Sequence, residues 1–224
     1  MLPLGDDNSG RRITPIVTYV LIAINVLVFF LELNNGEEFV QRWAFVPTRF
    51  LADPAGDFIT LFTSMFLHAG WAHLLGNMLY LWIFGDNVED RFGHGLFFVF
   101  YILSGLAATF AQLAISLGSS VANVGASGAI AGVLGAYLIM FPGKRVSVLM
   151  GRAVVPMSAL VVIGLWILIQ IFSQISVFSA GSQDQGGVAY MAHIGGFVAG
   201  VALAFLLGGG RRALPPTTSI RRGY

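Results

Sequence analysis

Six long apolar runs constrain the fold of this 224-residue chain more than any other feature of its sequence. A helix needs about 20 apolar residues to cross a hydrocarbon core about 30 Å thick. Only 10% of the residues are charged, against about 25% in soluble domains. The sequence therefore predicts an all-α, polytopic membrane protein, a bundle of six transmembrane helices over 13–33, 58–84, 96–117, 121–141, 154–178 and 188–207.

The remaining segments are short. We expect a polar amino-terminal tail over 1–12, a membrane domain over 13–207 and a basic carboxyl-terminal tail over 208–224. The segment 36–57 is amphipathic and is expected to lie in the membrane interface, with Trp43 at headgroup depth. The segment 179–187 is rich in Gly, Ser and Gln and is expected to be a flexible loop.

The basic residues predict the orientation, because lysine and arginine beside the spans stay on the cytoplasmic side. With a cytoplasmic amino terminus, only Arg42 and Arg49 lie outside. The other ten lie inside: Arg11, Arg12, Arg91, Lys144, Arg145, Arg152, Arg211, Arg212, Arg221 and Arg222. We therefore expect both termini in the cytoplasm and the spans in the cell (inner) membrane.

Charge and cysteine content narrow the partners to lipid and other membrane proteins. The net charge is +1 and the basic residues form no patch with aromatic residues, so nucleic acid is not an expected partner. Without cysteine there is no disulfide and no thiolate site. His68 and His73, five residues apart on one predicted helix, would lie on different faces, and we expect neither a metal nor a cofactor.

One serine in the fourth span has two interpretations. Ser127 lies between Gly125 and Gly128. Small residues at four-residue spacing, here Gly128, Gly132 and Ala136, are typical of closely packed membrane helices, where serine is a modest hydrogen-bonding residue. The other interpretation is a catalytic hydroxyl, which requires a base and polar partners at the same depth.

The predicted topology supplies such partners. The second, fourth and sixth spans all run from outside to inside, so residues early in each share a depth near the outer surface. His73, Asn77, Ser127 and His193 occupy these positions. His73 and Asn77, four residues apart, project from one helical face.

Glycines offer a way to bring the histidine to the serine. Gly196 and Gly200 follow His193 on nearly the same face, and bare glycine lets a neighbouring helix approach closely. If that neighbour is the fourth span with Gly128 and Gly132, the imidazole reaches the Ser127 hydroxyl.

A serine beside a histidine is the pattern of an activated nucleophile, in which the imidazole removes the hydroxyl proton. Asn77, His73 and the backbone N–H of Ser127 are the available donors to a developing oxyanion. After Asp90 the only acidic residue is Asp184, which predicts a Ser127–His193 dyad without a carboxylate. Structural roles remain open for Asn77, as a partner of a helix backbone, and for His68, as an interface hydrogen-bonding group.

Three motifs on three spans, in order, give the chain a family resemblance. They are His68, His73 and Asn77 in the second span, Gly125 to Gly128 in the fourth, and Ala192, His193, Gly196 and Gly200 in the last. With these the chain resembles the rhomboid intramembrane serine proteases of the minimal six-span bacterial type.

The resemblance implies cleavage of transmembrane segments of other proteins, with Ser127 as nucleophile, His193 as base and an oxyanion hole at His73 and Asn77. It also implies that the fifth span and the loop after it move to admit substrate, and that Glu89 and Arg91 are structural. Some members place an aromatic residue against the imidazole where this chain has Ala131. The alternative function is that of a catalytically inactive rhomboid-like protein that binds membrane clients. A third function, that of a small transporter, would need an internal repeat or a charged midplane site, and the sequence shows neither.

Overall fold

The computed structural model describes residues 2–179 and 188–208, and these form a mostly helical bundle with one small sheet. The elements are β1 Leu2–Asp6, α1 Ile16–Trp43, α2 Pro47–Ala52, α3 Thr60–Thr63, a 3-10 turn Ser64–Phe66, α4 Trp71–Phe92, α5 His94–Ile115, α6 Ser127–Met140, β2 Arg145–Met150, β3 Ala153–Ser158, α7 Ala159–Ser179 and α8 Tyr190–Leu206.

Three of the described helices, α1, α5 and α7, are both long and apolar enough to cross a membrane. α6 and α8 are apolar but shorter, with 14 and 17 residues. The 14 residues of α6 extend about 21 Å at 1.5 Å per residue, less than the hydrocarbon thickness. The prediction of six spans therefore remains a prediction, although each of the six apolar runs overlaps a helix of 14 or more residues.

The centre of the bundle is α6. Every residue from Gly128 to Tyr137 is buried, and the helix packs against α8, α5 and α4. α7, by contrast, is buried only at Ala159, Val162, Ile163, Gln170 and Gln174. An apolar helix with so much exposed surface is suited to contact lipid.

Glycines allow α6 and α8 to touch backbone to backbone. A Cβ added at Gly196 would lie 2.1 Å from the carbonyl oxygen of Gly128, and one at Gly200 would lie 2.1 Å from that of Gly132. Those positions are closer than any side chain tolerates. The seam of small residues thus sets the separation of the two helices that carry Ser127 and His193.

The start of α1 is held by the end of α4. The carboxylate of Glu89 accepts hydrogen bonds from the backbone N–H groups of Val17 and Thr18, at 2.8 and 2.7 Å, and from the Thr18 hydroxyl. Asp90 accepts from the N–H groups of Arg12 and Ile13. The Glu89 carboxylate thus satisfies two of the N–H groups that a helix start leaves without partners, and Asp90 holds the chain just before the helix. α4 itself extends beyond the second apolar run, since the charged segment after residue 84 is helical up to Phe92.

The all-α prediction is wrong for three short segments. β1, β2 and β3 form an antiparallel sheet in that order, so part of the predicted polar tail and the start of the predicted fifth span are strands. In β2 the buried residues Val146 and Val148 alternate with more exposed ones, the two-residue period of a half-buried strand. That alternation is present in the sequence, but over six residues it is too short to distinguish a strand from a loop.

The amphipathic segment also differs in detail from the prediction. α1 continues through it to Trp43 with a break at Gly36, where φ is +71°, and α2 follows. Arg49 holds the segment together, donating to the carboxylate of Asp57 at 2.7 Å and to the carbonyl oxygen of Gln41 at 2.5 Å. Most of the predicted flexible loop, residues 180–187, lies outside the described residues, as does most of the basic tail.

Candidate active site

Ser127 is the first residue of α6, not a residue within a longer helix as predicted. The chain before it is not helical and is held by neighbours: Asn123 pairs with Phe45, and the Gly125 N–H donates to the carbonyl oxygen of Ser64 at 2.9 Å. Gly125 has a φ of +127°, which only glycine adopts without strain. Because of the turn at Gly125, the helix begins only at Ser127. The Ser127 hydroxyl therefore lies at a helix start, where the first N–H groups have no partner within the helix.

His193 lies in the first turn of α8, and its ring reaches the serine. Nε2 of His193 is 2.8 Å from Oγ of Ser127, a normal hydrogen-bond distance. The histidine is 9% exposed. The structure therefore brings together the two residues predicted as nucleophile and base, across the glycine seam of α6 and α8.

The other side of the imidazole faces α7. Nδ1 of His193 lies 2.8 Å from Oε1 of Gln170, and the ring of Trp166 lies 5.7 Å from the imidazole, centroid to centroid, at an angle of 36°. Neither α7 residue was predicted to belong to the site. One signal was available, since Gln170 and Gln174 are polar residues in an apolar span, but their partners depend on how α7 packs.

His73 lies against the loop before the serine. A Cβ added at Gly125 would be 2.8 Å from Nε2 of His73 and 3.6 Å from the Ser127 hydroxyl oxygen, so the ring and the hydroxyl flank the same glycine. Nδ1 of His73 accepts the backbone N–H of Ala69 at 3.4 Å. A neutral imidazole with Nδ1 as acceptor carries its hydrogen on Nε2, the atom nearest Gly125.

Asn77, on α4, contacts His68, which lies in the loop before that helix. Its Nδ2 lies 2.9 Å from Nε2 of His68, and the His68 and His73 rings meet edge to face with centroids 5.0 Å apart. The expectation that His68 and His73 lie on different faces of one helix is wrong, because the chain from Leu67 to Gly70 is not helical. His68 is thus a neighbour of both predicted oxyanion residues.

The loop that carries His68 is held by α1. The carboxylate of Glu32 accepts the His68 backbone N–H, with its two oxygens at 3.0 and 3.2 Å. Glu32 is 5% exposed and lies in a predicted span. This contact was not predicted; an acidic residue within an apolar run was its only signal in the sequence.

A small cavity adjoins the serine. It has a volume of about 40 Å³ and is lined by Ser127 together with Ser64, Gln112 and Asn123. A cavity of this kind needs about 10–15 Å³ to hold one water, so a water molecule fits beside the hydroxyl. Within 2–179 and 188–208, no three His, Cys, Asp or Glu side chains are grouped as metal ligands.

These features define a class of site: a partly buried serine hydroxyl paired with a buried imidazole, as in serine hydrolases, inside an apolar helical bundle. A family model described as the rhomboid domain matches residues 55–210. The chain belongs to the rhomboid family. Family membership and the apolar helices make it a multi-pass membrane protein.

Individual relatives support the same assignment. The chain is similar to Rhomboid protease GluP of Bacillus subtilis, with 33% identity over 197 residues, 87% of this chain and 35% of that protein. It is similar to the mitochondrial Rhomboid protein 1 of Saccharomyces cerevisiae, with 31% identity over 83% of this chain and 51% of that protein. The putative rhomboid protease YdcA of Bacillus subtilis is 28% identical over 87% of this chain and 89% of its own length. The chain thus spans between a third and about half of the first two.

Proposed function

We propose that this protein is an intramembrane serine endopeptidase that hydrolyses a peptide bond in or near the transmembrane segment of another membrane protein. The observation that carries the proposal is the 2.8 Å contact between Nε2 of His193 and Oγ of Ser127 at the start of α6. The names of two relatives, which call them rhomboid proteases, agree with it.

In the proposed reaction the Ser127 oxygen attacks the carbonyl carbon of the scissile bond while Nε2 of His193 takes the hydroxyl proton. The carbonyl oxygen becomes an oxyanion. The imidazolium then gives its proton to the leaving amine, the carbon–nitrogen bond breaks, and an acyl-enzyme remains. A water molecule, deprotonated by His193, attacks the ester carbonyl and releases the acid product and the free serine.

Two sets of donors are proposed to stabilise the oxyanion. The first is the free backbone N–H groups at the start of α6, beginning with that of Ser127, where the helix dipole also favours negative charge. The second is the His73 Nε2–H and the Asn77 amide, with His68 and Glu32 supporting them. Loss of one such donor typically costs about 3–4 kcal/mol of transition-state stabilisation.

The membrane setting of the proposal follows from the basic residues. We propose six spans in the cell membrane with both termini cytoplasmic, which puts the start of α6 nearer the outer surface. Because α6 is about 21 Å long and surrounded by other helices, Ser127 would lie below the membrane surface while remaining open to water on one side. Substrates are other transmembrane segments, and no metal or cofactor takes part.

The test is cleavage of a model transmembrane substrate by the purified protein in liposomes. Ser127→Ala and His193→Ala are each expected to lower kcat/KM by about 1,000-fold or more, because the two groups act as a unit. Ser120→Ala is the matched control, a nearby serine whose hydroxyl contacts Thr48, and should retain activity. Cleavage that is unchanged in Ser127→Ala would refute the proposal, and client binding without cleavage by the wild type would favour an inactive relative.

A further inference from the structure

The environment of Nδ1 of His193 determines which nitrogen of the ring is free to act as a base. Gln170 lies on α7, is 7% exposed, and places Oε1 at 2.8 Å from Nδ1. The side-chain amide has one acceptor oxygen and one donor nitrogen, and the ring nitrogen is either a donor or an acceptor. The role of each atom follows from the other partners of the amide.

The second contact of Gln170 settles its orientation. Its Nε2 donates to the carbonyl oxygen of Trp166, one turn earlier on α7, at 3.2 Å. Reversing the amide would turn its nitrogen away from this acceptor and place an oxygen against the carbonyl oxygen. Gln170 therefore presents its oxygen to His193, and Nδ1 must carry a hydrogen to complete the 2.8 Å bond.

A hydrogen on Nδ1 leaves Nε2 of a neutral imidazole with a lone pair. That lone pair faces the Ser127 hydroxyl, which is the arrangement a general base needs. Trp166 adds a steric constraint, since its ring lies 5.7 Å from the imidazole, centroid to centroid. One segment of α7 thus contacts the imidazole twice: Gln170 at Nδ1 on the ring edge, and Trp166 beside the ring.

We propose that Gln170 is a positioning residue for the reaction: by accepting the Nδ1 hydrogen it holds His193 in the tautomer and orientation that accept the Ser127 proton. This inference rests on the proposed function. Gln170 does not touch the reacting atoms; it occupies the place that a carboxylate takes in a serine–histidine–aspartate triad. As a neutral acceptor it orients the ring without adding a buried charge to an apolar helix.

The test compares three variants in the liposome cleavage assay. Gln170→Leu keeps the side-chain size but removes the acceptor, and is expected to lower kcat by roughly 10- to 100-fold with KM nearly unchanged. Gln170→Glu restores an acceptor and is expected to recover most of kcat. Gln174→Leu is the matched control, a buried glutamine one turn further along α7, and should retain kcat.

The pH profile separates positioning from simple packing. A carboxylate at position 170 stabilises the protonated imidazole, so the acid limb of kcat/KM should move to higher pH in Gln170→Glu and stay in place in Gln174→Glu. A packing role predicts the opposite order, with Gln170→Leu tolerated and Gln170→Glu damaged. Thermal unfolding in detergent reports whether each variant is folded.

The outcomes keep the two proposals apart. If Ser127→Ala is inactive but Gln170→Leu cleaves within about twofold of the wild type, the role of Gln170 is overturned and the proposed function stands. If Gln170→Leu does not fold, an unshifted acid limb in Gln170→Glu overturns it as well. If the wild-type protein neither cleaves substrate nor depends on Ser127, the proposed function fails and the inference fails with it.

Discussion

Gly125 is the residue that determines where the fourth apolar segment becomes helical. Its φ of +127° turns the chain immediately before Ser127, and its missing side chain leaves room for the His73 ring. The same glycine therefore exposes the serine at a helix start and admits a candidate oxyanion donor beside it. One backbone position serves both requirements of the proposed site.

Gly125→Ala is expected to lower kcat strongly, because a Cβ there would lie 2.8 Å from the His73 ring and the backbone would be strained by about 1–3 kcal/mol. Cleavage and thermal unfolding measure the two effects. Gly118→Ala, in the preceding loop with open space around it, is the control. Wild-type activity in Gly125→Ala would show that the position of His73 against Gly125 is unimportant.

At the level of single residues, the sequence indicated that Ser127 and His193 would lie close together, but it did not indicate the residues that hold the site from α7 and α1. Ser127 and His193 stand out because polar groups in an apolar span are costly and usually functional. The glycines indicated how the two helices meet. Gln170, Trp166 and Glu32 were not assigned to the site. Their contacts depend on the rotation of α7 and α1 about their own axes, which hydropathy does not determine.

At the level of the helices, the contact between α6 and α8 is the element pair that carries the proposed chemistry. The backbones meet at Gly128 and Gly196 and again at Gly132 and Gly200. Close approach here fixes the separation of the serine from the histidine. In the sequence, the glycine seam by itself suggested only helix packing. In the structure it also sets the position of His193 relative to Ser127.

Gly200→Ala is expected to destabilise the protein by about 1–3 kcal/mol, because the added methyl group has no space between two backbones, and to lower kcat by separating α8 from α6. Gly164→Ala, on α7 with no atom near the new methyl group, should leave stability unchanged or slightly raised, since alanine favours helix. Thermal unfolding and the cleavage assay check both. Equal behaviour of the two variants would contradict the role of the seam.

Helix boundaries were the least predictable part of the elements. The second apolar run was predicted as one helix, yet it breaks between Leu67 and Gly70. Hydropathy does not report such a break, because a loop covered by protein can be as apolar as a helix. The break is stabilised by long-range hydrogen bonds, including the one from the His68 N–H to Glu32, which only the tertiary structure reveals.

At the level of the whole molecule, the sheet ties the beginning of the chain to its middle. β1 pairs with β2, which follows α6 and precedes α7 through β3. Asp6 at the end of β1 accepts hydrogen bonds from the hydroxyl of Tyr137 on α6 and from Asn87 on α4. Asp7, Asp86 and Lys144 are the charged groups near this carboxyl. The strand β1 was not predicted, since a terminal segment with six polar residues among its first twelve usually indicates a tail.

Burial raises the pKa of Asp6 to about 6 from its ordinary value of 3.8. The folded state therefore favours the protonated acid, so the stabilising effect is complete below about pH 4 and is lost as the pH rises through 6. Relative to Asp6→Asn, the wild type should lose roughly 1 kcal/mol of unfolding free energy between these limits, allowing for solvent screening. Thermal unfolding of both proteins from pH 4 to 7 measures this difference, and parallel curves would contradict it.

The central claim is that His193 activates the Ser127 hydroxyl, and covalent labelling by a fluorophosphonate tests it most directly. Mass spectrometry of the labelled protein should place the modification on Ser127 in the wild type and find that residue unmodified in His193→Ala, with Ser120 unlabelled in both. Labelling of Ser127 at the same rate in wild type and His193→Ala, or labelling at another serine, would contradict the account.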